Sequence, residues 1–183
     1  MLSLIIPVYN EAGAVEDIIR RSDKVLTGDY EIIVVDDGST DATPGILKKI
    51  DLPSVRVIRH SKNKGNGASI MTGVRNAKGE YVSMIDADDT YQPEDIPLLY
   101  KEVLKQDADM IVGVRKDLMQ GPFFHSTARN LLRKFAEFCS GTTIDDINSG
   151  MRICKKDLVL RYAILYPQRF SFHIVLMICA GKE

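Results

Sequence analysis

The strongest constraint on this chain is a pattern repeated through its first 114 residues. Short apolar runs break off abruptly into polar clusters, and the intervals between them carry helical periodicity. Leu2–Val8 is a continuous apolar run of the kind buried on both faces of a parallel sheet. Glu31–Val35, Ser54–Arg59, Tyr81–Ile85 and Met110–Val114 repeat the pattern. Helices are predicted from Glu11 to Leu26, Asp41 to Ile50, Ala68 to Ala77 and Pro93 to Lys105, with Val15, Ile18, Ile19 and Val25 on one face of the first. Asn10 reads as the N-cap of that first helix. Strands alternating with helices in this way predict β-α-β units, a mainly parallel sheet flanked by helices and right-handed crossovers. The chain is therefore expected to be a single α/β domain over residues 1–183.

In open sheets of this class, ligands sit beyond the carboxyl ends of the strands. The polar clusters fall at those ends: Tyr9-Asn10-Glu11, Asp36-Asp37-Gly38-Ser39, Asn63–Gly67 and Asp86–Asp89. Turn chemistry accounts for the Gly, Ser and Asn but not for so many carboxylates on one rim. Carboxylates are costly near a core unless a cation or donors meet them. Asp86 and Asp88, two residues apart, point the same way on a continuing strand and are a natural seat for a hard divalent ion.

Other features narrow the choice. A net charge of -1 gives no global pull toward nucleic acid. Cys139, Cys154 and Cys179 are widely spaced, with no C-x-x-C and no histidine cluster, so reduced cytoplasmic thiols are expected rather than zinc. Leu2–Val8 is too short for a signal peptide, and no apolar run approaches the ~20 residues of a membrane-spanning helix.

Five motifs occur in order: P-V-Y-N-E (Pro7–Glu11), D-D-G-S-T-D (Asp36–Asp41), N-K-G-N-G (Asn63–Gly67), D-A-D-D (Asp86–Asp89) and D-I-N-S-G-M-R (Asp146–Arg152). Together they resemble the family 2 inverting glycosyltransferases, nearest the branch of dolichyl-phosphate mannose synthases and bacterial polyprenyl-phosphate glycosyltransferases. The resemblance implies the glycosyltransferase A-type, Rossmann-like fold. It also implies a nucleotide-sugar donor of the GDP-mannose or UDP-glucose type, a polyprenyl phosphate acceptor, and Mg²⁺ or Mn²⁺. In this family Pro7, Tyr9, Glu11 and Asp37 would line the nucleobase and ribose pocket, with Lys64 and Gly65 beside the nucleotide. Asp86 would lie near the ribose and metal, and Asp88 would be the main metal ligand. Asp146, Ser149 and Arg152 would lie near the donor sugar and acceptor phosphate, with Asp88, Asp146 and Arg152 as catalytic residues.

Past Val114 the character changes, which divides the chain into a donor-binding half (1–114) and an acceptor-side half (115–183). Between Gly113 and Phe138, five basic residues (Arg115, Lys116, Arg129, Arg133, Lys134) face two acids (Asp117, Glu137). With Phe123 and Phe124, they suit an anionic lipid phosphate held by Arg115 and Arg129 at the cytoplasmic face of a membrane, a peripheral contact. Leu131, Leu132, Phe135 and Phe138 are expected to form the core face of a helix there, and Arg152–Lys155 a further strand. Two departures from the family stand out. Thr90 replaces a glutamine that often assists the metal, and Val175 stands where a glutamate is usual. The chain also stops soon after the apolar Phe170–Ala180, where the family's chains normally continue, which reads as a shortened C-terminal part.

Four other readings stand beside lipid-phosphate transfer. One is transfer to a saccharide hydroxyl, which requires a general base, with Asp146 the candidate. Another is an inactive nucleotide-sugar-binding module. D-A-D-D-T also resembles the nucleophile motif of haloacid-dehalogenase-type phosphatases, but it follows the fourth predicted strand rather than the first. A dinucleotide-binding reading of Gly65–Ile70 fails for want of a third glycine.

Overall fold

β1 (Leu2–Val8) lies buried along its whole length and pairs in parallel with β2 (Tyr30–Asp36) on one side and β4 (Tyr81–Met84) on the other. This is a computed structural model; it describes residues 1–87, 91–113, 123–141, 143, 146, 149–169 and 171–181, with the backbone alone at 123–130 and 132. β3 (Val55–Arg59) adds in parallel to β2. β6 (Arg152–Lys155) runs antiparallel between β4 and β5 (Met110–Val112), giving the order β3-β2-β1-β4-β6-β5. All five strands expected in the first 114 residues lie in this one sheet.

The helices are α1 (Val15–Val25), α2 (Thr43–Leu47), α3 (Asn66–Asn76), α4 (Ile96–Gln106, after a 3-10 turn at Pro93–Asp95), α5 (Phe123–Ser140), α6 (Lys156–Arg161) and α7 (Phe172–Ala180). The two-residue period of β1 sorts the core into two layers. Leu2, Leu4, Ile6 and Val8 pack with Ile18 and Ile19 of α1 and Ile96 and Val103 of α4. Ile5 faces the other way, toward Ile70 and Val74 of α3, Leu158 of α6 and Phe172 of α7. Helices on both faces of a mostly parallel sheet are the doubly wound arrangement that the alternation predicts.

Two expectations are corrected. Asn10 does not cap α1, which begins at Val15 after Ala14 with no side-chain cap. Asn10 instead sits in the left-handed region at φ 58°. Its N–H donates to Ser39 Oγ (3.0 Å) and its Oδ1 accepts from the Thr40 N–H (2.9 Å), lashing the first rim loop to the second. The second correction concerns α5. Leu131 (72%), Phe135 (59%) and Phe138 (84%) are exposed, while Ala136 and Ser140 are buried. Ala136 packs with Met177 of α7, so the small residues of α5 face its neighbour and let the helices approach closely. The apolar spacing identifies a stripe but not which way it turns. Leu132 belongs to the expected stripe but lies outside the residues with described side chains.

Away from the rim, a buried Glu31 closes the amino-terminal edge of the sheet. Its Oε1 accepts from the Lys78 N–H (2.6 Å) and from Ser3 Oγ (2.7 Å), and its Oε2 from Arg56 (3.2 Å). Burial alone would raise its pKa, but these donors outweigh burial and hold it below the ordinary glutamate value of 4.5. A lowered folded-state pKa means that the stabilisation is complete above the unfolded value and is lost as pH falls through the folded one. Glu31→Gln is expected to cost about 1–3 kcal/mol at pH 7. In urea denaturation, the gap between variant and parent should close as pH falls below 4.5 and through the lowered folded-state value.

Candidate functional site

The carboxyl ends of β1, β2 and β4 and the start of β6 lie on the same side of the sheet, and a cavity of about 460 Å³ opens there. It is lined by Pro7, Val8 and Tyr9 from the end of β1, by Glu11 and Asp37, by Asn63, Gly65, Asn66 and Ser69 at the start of α3, by Asp86 and Ala87 after β4, and by Arg169. Six of the seven residues expected to bind the nucleotide sugar therefore meet here: Pro7, Tyr9, Glu11, Asp37, Gly65 and Asp86. Lys64, the seventh, is not in the lining, but its backbone N–H donates to Asp37 Oδ1 (2.9 Å).

Asp37 is almost completely buried, and both its oxygens are engaged. Oδ1 accepts from the Lys64 N–H and faces His60 Nδ1 at 2.6 Å; Oδ2 accepts from the Gly65 N–H at 2.7 Å. The carboxylate thus fixes the turn that forms one wall of the cavity. Asp86 is half-buried, and Asn66 Nδ2 donates to its Oδ1 (3.2 Å). A Cβ built on Gly150 would stand 2.7 Å from Asp86 Oδ2, so only glycine lets the last motif lie against this carboxylate. The Gly150 N–H donates to Tyr91 Oη at 2.6 Å, which closes the contact.

The antiparallel direction of β6 explains how the last motif reaches the rim. Met84, at the end of β4, pairs with Arg152, at the start of β6. Arg152 is fully buried and donates to the backbone carbonyls of Ser149 and of His173 (2.8 Å). Burial pulls the guanidinium down to about 10, against the opposing pull of Cys154, Tyr91, Asp146 and Asp86, and it stays charged at neutral pH. His173, beside it, is pushed down to about 3 by burial and by the Arg152 charge, so its ring is neutral. Ser149 is buried and its Oγ donates toward Gly113 O (2.5 Å), tying β5 to β6. Asp146 is also buried, and neither it, Ser149 nor Arg152 lines the cavity. Asp88 and Arg115 lie outside the described residues, and Arg129 falls where α5 is described by its backbone alone.

Arg169 is the residue that the motifs do not signal. It is exposed, and it reaches the cavity because the backbone at Gln168 and Arg169 lies across the start of α3. Carbonyls of Arg169 and Gln168 accept from the Gly67 (3.1 Å) and Ala68 (2.8 Å) N–H groups. Helix amides normally capped by a nearby side chain are here capped by a distant strap. A Cβ on Gly67 would run into the Pro167 carbonyl oxygen. No local pattern announces that contact across the chain; the glycine of N-K-G-N-G was its one trace in the sequence. Ser69 is likewise missed: its hydroxyl is buried in the lining with no partner among the described residues.

The lining thus carries three carboxylates and one guanidinium. The described residues gather no group of three His, Cys, Asp or Glu side chains that could hold a metal by themselves. The oxygen donors that are present suit a hard divalent ion shared with a phosphate ligand, which takes only one or two carboxylates from the protein.

Solved glycosyltransferases share this architecture. Staphylococcus aureus TarS (residues 1–349) superposes with a TM-score of 0.73 at 20% identity, over 98% of this chain and 55% of that one. Glucosyl-3-phosphoglycerate synthase from Mycobacterium tuberculosis, solved with Mn²⁺, uridine diphosphate and glucosyl-3-phosphoglycerate, does so with a TM-score of 0.73 at 21% identity, over 97% and 63%. The fold is thus that of the glycosyltransferase A-type enzymes. Residues 3–162 match the profile of glycosyl transferase family 2, and the chain belongs to that family. An undecaprenyl-phosphate 4-deoxy-4-formamido-L-arabinose transferase from Pseudomonas fluorescens is 33% identical over 86% of this chain and 48% of its own length. A dodecaprenyl-phosphate galacturonate synthase from Rhizobium johnstonii is 27% identical over 90% and 50%. The chain spans about half the length of these curated relatives.

The strap makes a stability prediction. Gly67→Ala should cost about 1–3 kcal/mol through the forced shift of the 167–169 backbone. Gly13→Ala, with nothing within 4 Å of the added carbon, should fall within about ±0.5 kcal/mol. Thermal denaturation of the two variants beside the parent checks this.

Proposed function

We propose that this chain is the donor-handling part of an inverting glycosyltransferase that passes a sugar from a nucleoside diphosphate to a polyprenyl phosphate. The observation that carries the reading is the cavity at the carboxyl rim, in which Tyr9, Glu11, Gly65, Asp86 and Arg169 meet. Tyr9, 44% exposed, offers its ring as a platform for the base, and Pro7 and Glu11 border the base and ribose. Asp37, through the Lys64 and Gly65 amides, shapes the wall beside the nucleotide. Asp86, together with Asp88, would hold Mg²⁺ or Mn²⁺. When bound, that ion neutralises the diphosphate and stabilises the charge it gains on leaving. Arg169 adds a fork-shaped donor for the same phosphates.

In the reaction, an acceptor phosphate oxygen forms a bond to the anomeric carbon as the bond from that carbon to the diphosphate oxygen breaks, with inversion. The ionised phosphate is already a nucleophile and gives up no proton, so no general base is required. The burial of Asp146 away from the lining supports this acceptor over a saccharide hydroxyl, for which Asp146 would have to reach the bound sugar. Arg115 and Arg129 supply the charge for the lipid phosphate. Ser149 and Arg152 act from below the rim by holding the last motif against Asp86.

The proposed setting is the cytoplasmic face of a membrane. Free cysteines and the lipid-phosphate names of the relatives support it. So does the exposed Leu131, Phe135 and Phe138 stripe of α5 with Lys134 inside it, a composition suited to an anionic lipid surface. No helix among the described residues is long and apolar enough to cross a membrane.

Calorimetry and transfer assays test the reading. Asp88→Ala should abolish the Mn²⁺-dependent part of nucleotide-sugar binding while leaving the thermal transition in place. Arg169→Ala should weaken nucleoside diphosphate binding roughly tenfold or more and leave binding of the bare nucleoside unchanged. Arg129→Ala should depress transfer to polyprenyl phosphate and spare donor binding. Faster glycosylation of soluble sugars than of polyprenyl phosphate would reject the acceptor class.

A further inference from the structure

Behind the cavity wall, His60 is buried at the end of β3, its N–H donating to Asp36 O (2.8 Å). Its ring bridges two elements. Nδ1 lies 2.6 Å from Asp37 Oδ1, and Nε2 lies 2.9 Å from Thr72 Oγ1 in the middle of α3. An ionised carboxylate only accepts, so Nδ1 carries the hydrogen, and in the neutral ring Nε2 accepts from the Thr72 hydroxyl. This Thr72–His60–Asp37 relay ends at the two amides, Lys64 and Gly65, that form the cavity wall. No part of it touches the cavity except Asp37 and Gly65. No motif in the sequence singles out His60.

We propose that His60 is a positioning residue for donor binding. It orients the Asp37 carboxylate so that both oxygens point at the Lys64–Gly65 turn, and it references that turn to α3 rather than to solvent. A buried carboxylate with two backbone donors alone could rotate about its own side-chain torsions. The third donor, fixed at its far end by a helix, removes that freedom. The effect therefore falls on the shape of the donor pocket and not on bond making. The claim that the pocket takes a nucleoside diphosphate rests on the function proposed above.

The two ring nitrogens allow a position-specific test. Asparagine places an amide nitrogen where Nδ1 stands and can still donate to Asp37; glutamine places one where Nε2 stands and cannot. Backbone amide hydrogen exchange of the full chain, read by NMR at Lys64 and Gly65 with Ile33 of β2 as the internal standard, reports the turn directly. His60→Ala and His60→Gln should speed exchange at Lys64 and Gly65 roughly tenfold or more relative to Ile33, and His60→Asn should restore most of the protection. A loss of packing alone would not separate Asn from Gln. If Ala leaves exchange at the two amides unchanged, if Asn is as fast as Gln, or if the parent shows no protection there, the assignment is wrong. Should the alanine variant not fold, the Asn and Gln pair decides. In parallel, the Kd for uridine diphosphate and for guanosine diphosphate with Mn²⁺ should rise about tenfold in the Gln variant and little in the Asn variant. A parent chain that binds neither nucleotide overturns the proposed function, while the exchange result still decides the role of His60. Normal nucleotide affinity in a Gln variant with fast-exchanging amides overturns the link to donor binding.

Discussion

Parallel pairing on both sides of β1 is the constraint from which the site follows. Parallel strands put their carboxyl ends at one level, so the loops that leave them must share one rim. Tyr9, Asp37 and Asp86 come from three such ends and meet in one cavity although they are spread over nearly eighty residues of chain. β6 then adds what parallel pairing could not. Because it runs the other way, its first residue rather than its last reaches the rim, and Arg152 arrives beside Asp86 and Asp146.

That arrangement settles how a rim so rich in carboxylate stays folded. Three of the described acids are each met by more than one donor or positive group. Asp36 accepts from the Ser39 amide and pairs with Arg59 at 3.1 Å. Asp37 takes two amides and an imidazole, and Asp86 takes the Asn66 amide and lies within the field of a buried guanidinium. Asp37, tied to the turn beside it, holds a wall. Asp86, also in the lining, is the less buried of the two, which suits the metal-holding role proposed for it with Asp88.

How far the sequence spoke for itself follows from the range of each interaction. Strands announce themselves locally, and Leu2–Val8 and Arg152–Lys155 coincide with their sequence boundaries because each is set by its own side chains. Glycine and carboxylate clusters also mark the rim, since turns and ligand approach both demand them. Contacts that join distant segments leave little local mark. The antiparallel slot of β6, the outward turn of the α5 stripe and the strap that brings Arg169 to the cavity are all of this kind. Asn10 shows the same limit on a small scale: its type suits a helix cap, but the neighbouring loop claimed it first.

The strap also bears on how the protein is made. Chain emerges from the ribosome amino end first, and early segments begin to fold as they appear. When residue 114 has emerged, β1, β2, β3 and β4 are all present, yet the free edge of β4 has no partner until residues 152–155 arrive. The first amides of α3 wait longer still, for Gln168 and Arg169. An exposed apolar strand edge is a template for pairing with the wrong chain. The stretch of synthesis from residue 114 to residues 152–155, about forty residues, is therefore when a nascent molecule is most exposed to misassociation, and a translational pause before residue 152 would lengthen it.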